Sequence, residues 1–75
     1  MKVGDLLIYE PPDPRRERFL GVIIKVTRDQ KVKIKWILTD SMTSTTTEKI
    51  STVESLVEEG IKYEGGTSKW IHIKT

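Results

Sequence analysis

Residues 19 to 38, Phe-Leu-Gly-Val-Ile-Ile-Lys-Val-Thr-Arg-Asp-Gln-Lys-Val-Lys-Ile-Lys-Trp-Ile-Leu, constrain the fold more than any other stretch. Two arms rich in β-branched residues flank a polar centre, which is the signature of a β-hairpin. On the first arm Val22, Ile24 and Val26 share a face. On the second, Val32, Ile34, Trp36 and Leu38 alternate with Lys31, Lys33 and Lys35. Residues directly opposite each other must lie on the same face, so a two-residue turn at Asp29-Gln30 is excluded, because it would set Val26 against Lys33. An odd loop of Asp29, Gln30 and Lys31 instead predicts Val26 opposite Ile34, Ile24 opposite Trp36, and Ile23 opposite Ile37 on the outer face.

Seventy-five residues suffice for one domain, residues 1 to 75, with a single modest core. The chain has no cysteine, which removes disulfides, a thiolate nucleophile and cysteine-based metal sites, and which suits a reducing cytoplasm. No apolar run approaches the ~20 residues of a membrane-spanning helix. Met-Lys-Val-Gly-Asp-Leu-Leu enters a strand pattern without a signal peptide, so the chain reads as an intact soluble protein. A formal charge of +2 points to no particular partner.

Along the chain, Gly4-Asp5 precedes a first strand to Tyr9 with Leu6 and Ile8 on one face and Leu7 and Tyr9 on the other. Three prolines between residues 10 and 18 then impose an exposed loop that ends in Arg15, Arg16 and Arg18. Asp40-Ser41 predicts a turn, and residues 44 to 50 a polar fourth strand. Ser51-Thr52-Val53-Glu54 has capping-box spacing and predicts a short helix, with Val53, Leu56 and Val57 plugging the barrel and Gly60 ending the helix in a left-handed conformation. Gly65-Gly66 predicts a tight turn before a last strand in which Ile71 and Ile73 face in and Trp70 and His72 face out.

This order of elements, an all-β arrangement of five or six strands with one short helix before the last strand, resembles the Src-homology-3-like small barrel over most of residues 3 to 73. Val3-Gly4-Asp5-Leu6, with Gly21-Val22-Ile23-Ile24 and Val32-Lys33-Ile34-Lys35-Trp36, is also similar to small proteins of tailed phages, marine ones especially. The resemblance implies a binding or assembly role rather than catalysis, in a host cytoplasm or a virion. It does not extend to two subfamily functions. The long loop lacks the aromatic and acidic cluster of proline-motif binders, and the sequence displays no four-aromatic cage for methylated lysine.

Two surfaces emerge as candidates. Ile23, Ile37 and Trp70 form an outer apolar patch suited to protein docking, and the patch leaves room for a homodimer. Arg15, Arg16 and Arg18 with Lys25, Lys33 and Lys35 form a basic surface suited to nucleic acid. The lone His72 has no companion ligands or nucleophile around it and reads as a surface residue, so no metal, cofactor or catalytic site is expected. The sequence thus points to a non-enzymatic module that docks on another protein, of a host or a virion, with a nucleic-acid-binding barrel as the alternative.

Overall fold

The computed structural model describes residues 1–39 and 41–75. Six antiparallel strands, β1 (Leu6–Glu10), β2 (Phe19–Val26), β3 (Lys31–Ile37), β4 (Thr43–Lys49), β5 (Ile61–Tyr63) and β6 (Gly66–Ile73), surround one helix, α1 (Ile50–Glu58). They lie in the order β4-β3-β2-β1-β6-β5. The sheet curls into a half-barrel, and the all-β architecture with one short helix late in the chain is the expected one. Strands β4 and β6 are not paired. The opening between them is spanned at one end by α1, which packs against both.

The core fills the concave side. Leu7, Ile23, Val32, Ile34 and Val53 are fully buried, and Trp36 is nearly so. Each such aliphatic side chain contributes roughly 1.5–3 kcal/mol by leaving water. The lysine alternation on β3 places its residues as expected, with Val32, Ile34 and Trp36 inside and Lys33, Lys35 and Ile37 outside.

The first arm departs from expectation. Its loop is odd, but it consists of Arg28, Asp29 and Gln30, because the Thr27 N–H donates to the Lys31 carbonyl at 2.8 Å and Gln30 takes the left-handed φ of 63°. Val26 therefore faces Val32 rather than Ile34. The register then slips, since Lys25 faces Lys33 whereas Ile23 faces Ile34, leaving Ile24 as an extra residue. Beyond this bulge the faces of β2 exchange. Ile23 becomes core, while Ile24 is exposed and Ile37 faces Leu20 on the outside.

The last strand is reversed as well. Leu7 pairs with His72 and Tyr9 with Trp70, so these two join the concave side while Ile71 and Ile73 face outward. The helix begins two residues earlier than the capping-box spacing predicts. Lys49 is its N-cap, with no side-chain cap bond, so the Ser51 and Glu54 box is not formed. Of the turn at Asp40-Ser41, Asp40 lies outside the described residues; next to it the Leu38 N–H donates to the Met42 carbonyl at 3.0 Å.

Gly60 ends the helix as its sequence position predicts. Its φ is 71°, its N–H donates to the Ser55 carbonyl, and a Cβ there would collide with the Ser68 carbonyl oxygen. Gly60→Ala should therefore lower stability by at least about 1–2 kcal/mol in urea unfolding. Gly65→Ala, where a Cβ would meet nothing within 4 Å, should be nearly neutral. Equal stability of the two variants would contradict this account of the helix end.

Candidate functional site

Cross-strand pairing assembles the most distinctive feature of the concave side. Tyr9 stands beside Phe19 of β2 and beside Trp70 of β6, so three rings from three strands form one row. In the next row Gly21 lies between Leu7 and Trp36. The missing side chain matters: a Cβ on Gly21 would come within 2.8 Å of the Trp36 ring. The indole instead lies across the sheet and meets Trp70 edge to face, at a centroid distance of 5.2 Å and an interplanar angle of 82°. Tyr9 and Phe19 are nearly parallel at 6.1 Å. Such arrangements suit the quadrupoles of aromatic rings.

Together these four rings line an open groove of about 260 Å3 at the end of the half-barrel that α1 leaves uncovered. Leu38 completes the apolar wall, and Thr46 and Glu48 of β4 supply its polar side. The Trp36 Nε1–H donates to Thr46 Oγ1 at 2.9 Å, so the indole is satisfied within the fold. A second depression, lined by Tyr9, Pro11, Arg16, Glu17 and Phe19, lies on the other flank of the Tyr9 and Phe19 pair. The four-ring cluster missing from the sequence pattern is thus present in space, drawn from four separate strands.

The predicted docking residues do not form one patch. Ile23 is fully buried, Trp70 is half-buried in the groove wall, and only Ile37 lies on the outer face. Its neighbours there are others. The register aligns Ile71, Ile8, Leu20 and Ile37 across four strands, with Ile73, Leu6 and Val22 in the adjoining row. Leu20, Ile37 and Ile73 are each about two-fifths exposed. The total accessible surface, 5495 Å2, exceeds the roughly 4,700 Å2 that scaling gives for a monomer of 8.6 kDa.

The predicted basic surface is divided. Arg15, Arg16 and Arg18 sit before the start of β2, and Lys25 lies near its far end, about 20 Å away at a strand rise of ~3.3 Å per residue. Leu20 and Val22 occupy the outer face between them. Lys33 and Lys35 lie with Lys25 on that face, whereas Arg15 is paired with Asp13 at 3.2 Å and Arg18 with Glu10 at 3.7 Å.

His72 is not a surface residue. Its side chain is 12% exposed and its Nε2 lies 2.8 Å from Oδ2 of the buried Asp5. The Lys2 N–H, the Thr75 N–H and the Thr75 hydroxyl also donate to Asp5. Both ends of the chain are therefore tied to one carboxylate. The Thr75 hydroxyl meets the carboxylate and not the imidazole, so the cluster sets up no nucleophile beside a base. Among the described residues no three His, Asp or Glu side chains gather as metal ligands, and no helix is long and apolar enough to cross a membrane.

With this geometry in hand, comparison with known proteins found no match to a family model, to a curated protein or to a solved structure. Nothing in these comparisons links the chain to phage proteins.

Two predictions arise here. The His72 hydrogen bond, opposed by burial and reinforced by Thr75 and Lys2, holds the Asp5 carboxyl well below the usual carboxylate range. A carboxyl with a depressed folded value contributes stability that is complete above its unfolded value, about 3.9, and is lost as pH falls through the folded one. The stability gap between the native chain and Asp5→Asn should thus be widest near neutrality and shrink steadily below about pH 4 in urea unfolding. A gap that stays constant to pH 2 would contradict the assignment. On the outer face, Leu20→Lys combined with Ile37→Glu, which sets opposite charges across the facing pair, should change stability by no more than about 0.5 kcal/mol each, as for exposed positions, and should reduce binding of a hydrophobic dye. A cooperative loss of folding would instead place these side chains in the core.

Proposed function

We propose that the chain is a non-enzymatic protein-binding module that receives an extended segment of another protein along the aromatic side of its half-barrel. One observation carries the reading: four aromatic rings from four strands line a single open groove whose wall is otherwise one leucine and two polar residues. Concave, mostly apolar sites with a few placed polar groups are where proteins take their ligands. Aromatic anchors also dominate the energetics of protein interfaces.

The form of the site favours a chain over a compact small molecule. At about 260 Å3 the groove is smaller than the roughly 300–1,000 Å3 pockets of drug-sized ligands, and suits one inserted side chain. The second depression shares Tyr9 and Phe19 with it, so an extended segment crossing that ridge reaches both.

The test is selection of binding peptides from a random library, followed by affinity measurement on variants whose fold is checked by circular dichroism. Phe19→Leu and Tyr9→Leu keep apolar volume while removing rings, and each should weaken the selected peptides at least tenfold. Leu20→Lys should leave them unchanged. Peptides that are indifferent to both ring removals but lose binding with Leu20→Lys would move the site to the outer face and overturn the reading.

A further inference from the structure

An antiparallel sheet with one solvated face ordinarily alternates apolar and polar residues. Here β1 turns Leu6 and Ile8 outward beside Leu7 and Tyr9 inward, and the aliphatic rows through Leu20 and Val22 cross four strands on the outer face. Toward the hairpin the same face turns basic. Lys25 stands directly opposite Lys33, Lys31 stands directly opposite Lys49, and Lys35 continues the alternation on β3. Like charges directly opposite one another destabilise a sheet, and two such pairs adjoin here. Among the described strand residues of this face the one carboxylate is Glu10, at the other end, where it pairs with Arg18 at 3.7 Å. Asp29 of the hairpin loop reaches Lys31 at 3.4 Å.

From Ile37 back to Lys31 along β3, the face changes from aliphatic to cationic over roughly 20 Å at a rise of ~3.3 Å per residue. Whatever covers it has to supply apolar contact at one end of that length and negative charge at the other. Nucleic acid supplies only the second: phosphates leave the aliphatic rows in water, and no aromatic residue stands in those rows for a base to stack on. A second copy presenting the same face would set cations against cations, because Glu10 is the one carboxylate it offers and Arg18 holds it. An anionic lipid surface meets both properties, but surfaces that sit in a membrane interface carry aromatic rings there, and four rings of this chain line the groove instead. A protein segment with both chemistries fits the whole length.

We infer that the outer face of β2 and β3 is a second docking surface, which takes a segment of another protein that is aliphatic at one end and acidic at the other. The segment lies along the strands, with its aliphatic residues on Leu20, Val22 and Ile37 and its acidic end over Lys25, Lys33 and Lys35. This goes beyond the groove, which lies on the opposite face of the sheet and uses different side chains. The opposed lysines repel one another in the free chain, and the acidic end relieves that repulsion on docking.

The experiment titrates the full chain with a blocked peptide of leucines followed by glutamates, and with two counterparts in which glutamine replaces every glutamate or serine replaces every leucine. The first should bind at least tenfold more tightly than either counterpart and weaken with added salt. It should shift the amide signals of Leu20, Val22, Lys33 and Lys35 and leave the indole N–H signals of Trp36 and Trp70 in place. Lys25→Gln combined with Lys33→Gln should cut its affinity at least tenfold while raising the urea midpoint of the free chain, a gain that a folding defect cannot mimic. Tyr9→Leu should leave its affinity unchanged, so failure here and failure of the groove reading are separate results. Equal binding of the glutamine or the serine counterpart would overturn the inference. A nucleic-acid duplex or a phosphatidylserine vesicle held more tightly than the peptide through Leu20 and Lys33 would overturn the assignment to a protein segment. A dimer in sedimentation that Leu20→Lys dissociates would place a second copy on this face and overturn it too, as would no binding of the leucine and glutamate peptide.

Discussion

The packing of the Trp36 indole over Gly21 is the contact on which the rest of the structure depends. With any larger residue at position 21 the ring could not lie across β2, and the core and the groove would lose their common wall. Because the ring does lie there, it reaches Trp70 two strands beyond its own neighbour, bonds Thr46 on the opposite side, and so ties β4, β3 and β6 around a space the backbone leaves open. A half-barrel whose strands β4 and β6 do not pair has to close its opening with side chains. Val53 of α1 does this at one end, and the aromatic rings do it incompletely at the other.

That incompleteness is the basis of the proposed docking role. The lower end is sealed by the helix and by the Asp5 cluster, which holds His72, Lys2 and Thr75 together and keeps both chain ends against the sheet. The upper end remains a groove in which Thr46 accepts the Trp36 indole N–H and Glu48 is the one carboxylate of the lining. Under the proposed docking role, rigid strands on one side and an unblocked mouth on the other leave little to be ordered when a partner side chain enters.

Much of the scaffold was legible in the sequence. Alternating lysines on β3, an odd-length hairpin loop (though one residue earlier than Asp29 to Lys31), the proline loop, a short helix and Gly60 at its end each have a local cause that survives folding. The orientation of the strands did not, because β1 and β2 carry aliphatic residues on both faces and β6 sets isoleucines on one face against Trp70 and His72 on the other, and alternation alone cannot say which face turns inward. Ile71 and Ile73 are more apolar than His72, yet His72 lies inside because Asp5 satisfies it there. The bulge at Ile24 adds a second exchange of faces that no residue type announces. The groove was hidden for a related reason. Tyr9, Phe19, Trp36 and Trp70 are far apart in the chain and form no local motif, and the one hint was that Gly21 stands in a strand where a side chain would ordinarily pack.

The orientation of β6 against β1 and β3 underlies both the core and the groove, and a nuclear Overhauser spectrum of the aromatic side chains tests it most directly. The structure predicts strong contacts from the Trp70 ring to Trp36 and to Tyr9, and none from the Ile71 side chain to Trp36. Contacts of Ile71 with Trp36 and Val32, with Trp70 free in solvent, would contradict the account and remove the groove altogether.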